Sequence, residues 1–386
     1  MVTFADEPPN FYGARCERYE KGKNKAGALL PDLFAERERL LFGSYLDTDK
    51  SGVAKIKPHS RPVVGIPKVL HIHDYFPYWR GFFNEVGFDM VLSDTTNQKI
   101  INKTGEKVTA ETCLPIKIIY GHCLDLLEKG VKNIFFPSLI SMEGDWGNEV
   151  RQNYSCPLAQ TAPHMMIASL YSELNDKGVR LFSPDIELKL GKKVVEKELI
   201  RFGREFGLSP AVIRRGMKAG EEILRDYRNK ALSRGRYILD EITAGKMKGV
   251  LIVSRSYNGC DPGLNMDLPK KLKDMGVVAI PLDFIDINSL PSSSDAHPNM
   301  YWKTGQNYLR AARYLKGFEA LPAIHLSSFK CGPDSFITHF FRNEMKDRPI
   351  LELELDEHSA DAGFVTRCEA FFDSIEYKKT SIGDMV

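Results

Sequence analysis

Five of the seven cysteines in this chain occur where a metal ligand is expected. Four of them lie next to a proline or glycine, or one residue away from one: Cys113, Cys156, Cys260 and Cys331. The fifth, Cys16, lies in the charged segment Arg-Cys-Glu-Arg. A cysteine that only fills space belongs inside a strand or on a buried helix face. A thiol on a fixed backbone at the end of an element can instead bind an iron–sulfur cluster.

The other two cysteines, Cys123 and Cys368, are predicted to lie on helices. Cys123 follows Cys113 by ten residues, or about 15 Å along a helix axis, which favours core packing. Cys368 is close to the start of the last helix, and the sequence leaves open whether it is a ligand or a core residue. Burial as a small apolar side chain is the alternative for each loop cysteine. The chain has no Cys-x-x-Cys pair, so a ligand set would have to come from distant segments.

Several acidic and histidine side chains could handle protons beside such a centre. Glu143 follows a predicted strand and His358 follows the last one, and both are candidate proton donors. A helix cap through Ser359 is the more ordinary role for the segment that contains His358. His71 and His73 could form a metal pair, but two polar residues at a strand–helix turn are the favoured interpretation.

Composition limits the class of protein. The chain has 386 residues, of which 43% are hydrophobic and 27% charged, and its net charge is +2. These values are typical of a soluble globular protein and give no overall attraction to nucleic acid or membrane. An odd number of dispersed cysteines, without a signal-like or membrane-spanning segment, predicts a reducing cytoplasm. There is no P-loop, dinucleotide fingerprint or nucleophile elbow.

Strands and helices alternate along two stretches of the chain, which predicts parallel sheets with crossover helices. Strands are predicted over 63–67, 88–93, 133–140, 250–254, 277–281, 323–328 and 350–356, and helices over 75–86, 115–129, 307–315 and 366–375. The predicted fold therefore has two Rossmann-like, doubly wound α/β domains. Its units are an irregular N-terminal segment (1–60), a first domain (61–186), a helical segment (187–246) and a second domain (247–386).

In open parallel sheets, ligands bind outside the carboxyl ends of the strands. Cys260 and Cys331 follow predicted strands, Cys113 begins a helix that leads into one, and Cys156 follows the loop after one. We therefore expect these four cysteines to converge where two sheets face each other across a cleft.

Several segments resemble the 2-hydroxyacyl-CoA dehydratase and benzoyl-CoA reductase superfamily, especially double-cubane cluster proteins and the cluster-binding region of long activase-related proteins. They are Gly-Ile-Pro at 65–67, Tyr-Phe-Pro-Tyr-Trp at 75–79, Glu-Thr-Cys-Leu-Pro-Ile-Lys at 111–117 and Gly-His at 121–122. Arg-Cys-Glu-Arg at 15–18, Cys-Pro at 156–157, Lys-Cys-Gly at 330–332 and Asp-Glu-His-Ser-Ala-Asp-Ala-Gly at 356–363 extend the resemblance nearly end to end.

The resemblance implies a cluster between two α/β domains, often in a homodimer of an anaerobic protein. It also implies a separate ATP-hydrolysing activase, which carries its own 4Fe–4S cluster and donates low-potential electrons. At minimum one 4Fe–4S cluster would be held by Cys113, Cys156 and Cys331. Two cubanes bridged by sulfide would need six thiolates, with Cys16, Cys260 and Cys368 as the additional ligands and Cys123 as the alternative to Cys368.

Two departures from the long activase-related proteins favour the double-cubane assignment. This chain has Ser138 where they have a cysteine, and Cys260 is an addition. Three functions follow as hypotheses: a double-cubane reductase, a subunit of a radical 2-hydroxyacyl-CoA dehydratase with one cluster, and a noncatalytic electron carrier.

Overall fold

The structure is a computed structural model that describes residues 27, 29–46, 61–105, 107–108, 110–143, 152–290, 296–359 and 361–383. Its strands are β1 (Val63–Ile66), β2 (Asp89–Leu92), β3 (Asn133–Phe135), β4 (Ser138–Ser141), β5 (Arg180–Phe182), β6 (Asp185–Glu187), β7 (Lys248–Val253), β8 (Val277–Pro281), β9 (Ala323–Ser328) and β10 (Ile350–Leu355).

The helices occupy the intervals between these strands. They are α1 (Leu33–Phe42), α2 (Ile72–Val86), α3 (Gln98–Thr104), α4 (Leu114–Glu128), α5 (Pro157–Ser169), α6 (Tyr171–Asp176), α7 (Lys192–Arg204), α8 (Pro210–Thr243), α9 (Ser256–Cys260), α10 (Leu268–Asp274), α11 (Lys303–Lys316), α12 (Gly332–Glu344) and α13 (Asp361–Gly383).

Two four-stranded parallel sheets form the centres of two lobes. The first has the order β2-β1-β3-β5 and the second the order β10-β9-β7-β8. If the strands of each sheet are renumbered from 1 in chain order, both sheets have the order 2-1-3-4, the second one when read from its β8 edge. The two lobes therefore share one topology. The predicted α/β class with parallel sheets is confirmed. In each lobe a crevice is expected outside the carboxyl ends of the strands, where the strand order reverses.

The segment 133–140, predicted as one strand, forms two. β3 belongs to the first sheet, whereas β4 pairs with β6 in a separate two-stranded sheet. Pro137 lies between them and has no N–H to donate to a ladder, which explains the break.

The long helix α8 connects the two lobes. Its first half contributes Ile213 and Met217 to the core of the first lobe, and its second half contributes Ile238 and Leu239 to the core of the second. It lies very close to α2. A Cβ atom added to Gly220 would come within 2.7 Å of the Tyr78 carbonyl oxygen, so this position requires glycine.

Buried polar contacts fix the lobes against each other. Arg37 Nε lies 2.8 Å from Asp283 Oδ2, and its Nη2 donates to the His73 carbonyl oxygen at 2.8 Å. The Thr96 hydroxyl donates to Asp261 Oδ2 at 2.6 Å. In the part of the chain that the structure describes, no helix has the length and apolar character needed to span a membrane.

Candidate metal centre

Three cysteines occupy the N-cap positions of three helices: Cys113 of α4, Cys156 of α5 and Cys331 of α12. Each has an extended backbone, and a proline follows at the first or second helical position. Proline suits this position because its fixed φ angle matches the helix start. None of the three side chains makes a capping hydrogen bond. Each of these cysteines therefore lies at the positive end of a helix dipole.

The same three cysteines share one electrostatic environment. The pKa of the Cys113 thiol is raised to about 11, mainly by burial, and the neighbouring Cys156 thiol contributes to the increase. The pKa of Cys331 is also raised, mainly by burial, and Cys113 contributes. All three thiols help to raise the pKa of the buried Tyr257 phenol, although burial is the main cause. The structure thus gathers Cys113 and Cys156 from the first lobe and Cys331 from the second.

A buried ion pair lies beside these thiols. Arg255 Nη2 is 2.6 Å from Asp334 Oδ1, and each side chain is only 4% exposed. Arg255 is the N-cap residue of α9 and Asp334 is in the first turn of α12. The guanidinium opposes the increase in the pKa of both Cys113 and Cys331. It therefore provides a fixed positive charge where thiolates would gather.

An exposed network of charges links the two lobes next to this centre. Lys117 Nζ lies 2.7 Å from Glu357 Oε1 and 3.0 Å from Glu111 Oε2, and Lys330 Nζ lies 2.7 Å from the same Glu111 oxygen. Lys330 and Lys117 lower the pKa of Glu111 to about 2. The network joins residues that flank Cys113 to the residue that precedes Cys331.

The other predicted ligands have different surroundings or fall outside the described residues, although Cys260 lines a small cavity together with Arg255 and Tyr257. Cys260 ends α9 and is partly buried, and its pKa is raised to about 12, mainly by burial. The charges that act on it are those of Arg37 and three carboxylates, not those of the capping thiols. Cys368 is fully buried in an apolar cluster that includes Leu268 and Phe364. Cys16 falls in a segment that the structure does not describe.

Cys123, the alternative sixth ligand, is also fully buried, in an apolar cluster with Ile119 and Leu126. Burial raises its pKa to about 12. Its position in the middle of α4 is the one expected for a core residue.

The two predicted proton donors lie at different places: Glu143 lines a small cavity that Cys260 also lines, and His358 follows Glu357 of the charge network. Glu143 forms an ion pair with Arg228 at 2.7 Å, and both side chains are almost half exposed. His358 is exposed in the turn after β10, where its backbone N–H donates to Asp356 Oδ1 at 2.9 Å. That turn is also closed by Ser359, whose hydroxyl donates to Asp356 Oδ1.

Sequence reasoning missed three residues of the centre. Tyr257, Arg255 and Asp334 were not singled out, although Asp334 follows Cys331 by three residues. The sequence could have indicated Arg255, because a positively charged residue two positions after β7 lies at the carboxyl edge of the second sheet. Tyr257 carries no such signal in the sequence.

The donor set fits an iron–sulfur cluster better than a single ion. Within the described ranges, no three His, Cys, Asp or Glu side chains lie close enough to hold one metal ion. In a 4Fe–4S cluster, however, each cysteine binds a different iron, so its thiolates are farther apart than the ligands of one ion. Three soft sulfur donors without capping hydrogen bonds match that chemistry.

Solved structures align with the chain only weakly. The laminin-binding protein Lbp of Streptococcus pyogenes has 10% identity and a TM-score of 0.21, with 82% of this chain and 97% of that chain covered. Glucosamine-6-phosphate deaminase from Thermotoga maritima has 9% identity and a TM-score of 0.20, with 84% and 85% covered. A putative phosphosugar isomerase from Clostridium difficile has 13% identity and a TM-score of 0.21, with 87% of each chain covered. Such scores carry no structural argument.

A comparison with curated proteins finds no match. One family model does match, over residues 63–285, and it is described as the CoA enzyme activase uncharacterised domain (DUF2229). The match runs from β1 to the end of the turn after β8, and it includes Cys113, Cys156 and Cys260. It supports a relation to the activase and dehydratase superfamily that the sequence resembles. Because it covers more than half of the chain, this protein belongs to the CoA enzyme activase-related family.

Proposed function

We propose that this protein is an iron–sulfur oxidoreductase component that holds a 4Fe–4S cluster on Cys113, Cys156 and Cys331. The observation that carries the proposal is the gathering of three helix-capping thiols from two lobes around Tyr257. Three cysteines so far apart in sequence need a common reason to lie together in one environment. Cluster ligation is such a reason, since each sulfur is held by a fixed backbone at a helix N-terminus.

The chain's own residues would hold and tune such a cluster. A bound 4Fe–4S cluster supplies one-electron chemistry at a potential that depends on burial, charge and hydrogen bonds. Cys113 and Cys156 are only 8% and 6% exposed, so the first lobe shields its side of the site from solvent, whereas Cys331 is partly exposed. Arg255 would offset part of the thiolate charge, and the buried Tyr257 lies near all three thiols.

The electron source in this proposal is an ATP-hydrolysing activase-type partner that carries its own 4Fe–4S cluster. Two observations support a partner. The chain contains no P-loop, and its family is named for the activation of CoA enzymes. The protein, as a homodimer, would then pass the electrons to a small substrate. If the protein does not convert a substrate, it would instead be a noncatalytic electron carrier, which is the alternative function.

A second cubane remains a prediction. It requires three more thiolates, and Cys16, Cys260 and Cys368 were the residues expected to supply them. The three capping thiols alone would be enough for the single cluster of a dehydratase-like subunit, and Cys16 falls outside the described residues.

Iron and acid-labile sulfide analysis of anaerobically purified protein tests these alternatives. About four irons per chain supports one cluster, and about eight supports the double cubane. Protein that binds no iron after reconstitution, with every thiol open to titration, would overturn the proposal. Reduction of acetylene with an activase, ATP and reductant would distinguish a reductase from a carrier.

A further inference from the structure

A buried histidine outside the cysteine centre has one ring nitrogen without a partner. His71 precedes α2, and its side chain is 10% exposed. Its Nδ1 lies 2.9 Å from Asp74 Oδ2. Its Nε2 is buried, and no hydrogen-bond partner for it exists among the residues that the structure describes. An unpaired buried polar atom is costly, so a ligand is expected there.

Asp74 determines which nitrogen of His71 carries the proton. Burial raises the pKa of Asp74, but the hydrogen bond and the charge of His71, a hydrogen bond from Ser256 and the charge of Arg37 bring the pKa below its ordinary value. An ionised carboxylate can only accept hydrogen bonds, so Nδ1 must carry the proton. In the neutral ring, Nε2 is then a hydrogen-bond acceptor.

His71 lines a cavity of about 950 Å³ between α2, the two-stranded sheet, α7 and α8. This volume is within the range of small-molecule sites. Most of its wall is apolar: Trp79, Phe136, Leu139, Ile186, Val195, Met217 and Leu224. One face of α8 lines it from Met217 to Leu232, a length of about 22 Å. The cavity therefore suits an elongated, mainly apolar molecule.

The polar groups of the cavity lie in two parts of its wall. Lys189, Lys192, Glu221 and Arg225 line the larger cavity alone, whereas others lie in the wall it shares with a second cavity of about 250 Å³. His71, Tyr75, Glu143 and Arg228 line both cavities. Arg228 and Glu143 already form an ion pair. Asn288 also lines both cavities, and its Oδ1 accepts from Arg310. His71 Nε2 is thus an acceptor in this shared wall without a partner among the described residues.

We propose that the larger cavity binds an elongated apolar alcohol whose hydroxyl group donates a hydrogen bond to His71 Nε2. Asp74 is the positioning residue, because it holds the imidazole in the acceptor tautomer. This site does not depend on the proposed function, since no cysteine lines the larger cavity. The ring of Tyr257 contacts that of His71, with centroids 5.5 Å apart, so one side chain separates the ligand site from the capping thiols.

Two isomers test the proposal: 1-octanol, which can donate a hydrogen bond, and heptyl methyl ether, which cannot. Their binding to the full-length protein is measured by displacement of the fluorescent probe anilinonaphthalene sulfonate. We expect the preference for octanol over the ether to fall about tenfold in His71→Leu, which loses the acceptor but keeps an apolar side chain. Leu188→Trp, which narrows the same cavity, should weaken both isomers equally.

A second variant should exchange the donor and acceptor nitrogens of the His71 ring. In Asp74→Asn the amide can donate to Nδ1, so the ring proton moves to Nε2 and the preference should shift toward the ether. Nitrogen-15 spectra of the histidine rings report this tautomer directly, independently of any ligand. The proposal is overturned if folded wild-type protein binds neither isomer, if His71→Leu keeps the octanol preference, or if Nε2 carries the proton in the wild type.

Discussion

Two groups of cysteines in this protein differ in their place on the backbone. The capping cysteines, Cys113, Cys156 and Cys331, begin helices, whereas the packed cysteines, Cys123 and Cys368, lie within them. Cys113 is 8% exposed and Cys123 is 0% exposed, so burial alone does not separate the groups. What separates them is the helix N-terminus and the nearby charge of Arg255. Position on an element is therefore the better guide to which thiols can hold a metal.

Replacing a capping cysteine should have the largest effect. Cys156→Ala removes one of three proposed ligands, and we expect almost complete loss of iron and of the visible absorbance of the cluster. The matched control is Cys123→Ala, which should retain iron at the wild-type level. Equal iron content in both variants would mean that the capping position has no special role.

The buried ion pair between Arg255 and Asp334 tests how much this part of the second lobe contributes to stability. Arg255→Leu leaves Asp334 buried without its partner, which should lower the free energy of unfolding by about 3–5 kcal/mol. The double variant Arg255→Leu/Asp334→Leu should recover most of that loss, because it removes both charges. Urea unfolding of the iron-free proteins measures both effects. A loss of less than about 1 kcal/mol in the single variant would show that water reaches Asp334.

The sequence predicted the strands of the two sheets better than the residues that surround the capping cysteines. The strands at 277–281 and 323–328 were predicted at their observed bounds, since apolar runs ended by polar or proline residues define buried strands. The three-residue strands β5 and β6 were missed, because so few residues carry no clear periodicity. The capping cysteines could be recognised from their neighbouring prolines. Tyr257 could not, because its role depends on which side chains the fold brings around it.

The dependence of stability on pH can be tested on the iron-free protein. Burial lowers the pKa of both His73 and His122 to about 3. In the unfolded chain both titrate near 6.5, so unfolding takes up protons below that pH. Their stabilisation is fully present above pH 6.5 and is lost as the pH falls toward 3, by up to about 1.4 kcal/mol per pH unit for each histidine.

Urea unfolding of iron-free protein at several pH values between 7.5 and 5 checks this slope. His122→Gln should reduce the slope, because one of the buried histidines that take up a proton on unfolding is removed. The slope that remains comes from His73 and His325, and Asp261, whose pKa burial raises to about 6, opposes it. A slope that does not change in this variant would mean that other groups control acid stability.

The packed cysteines should matter for stability alone. Cys368→Ala leaves a small cavity in an apolar cluster, and we expect a loss of about 1 kcal/mol in the free energy of unfolding. Iron content should stay at the wild-type value, since Cys368 is a fully buried member of an apolar cluster, against which Cys260 also packs. If this variant instead loses iron, Cys368 is a ligand and the distinction between the two groups of cysteines is wrong.

The surface charges near the centre should have the smallest effect. Lys117→Ala removes an ion pair that joins the lobes beside Cys113, but exposed pairs contribute only about 0.2–1 kcal/mol. The loss should disappear in about 1 M salt, where the screening length is about 3 Å. Lys230→Ala, which removes a pair within α8, is the control for a salt bridge that does not join the lobes. If Lys117→Ala also accelerates the release of iron while Lys230→Ala does not, the network holds the two lobes together over the thiols. If neither variant releases iron faster, the buried contacts of Arg37 and Asp261 are sufficient to hold the lobes in place.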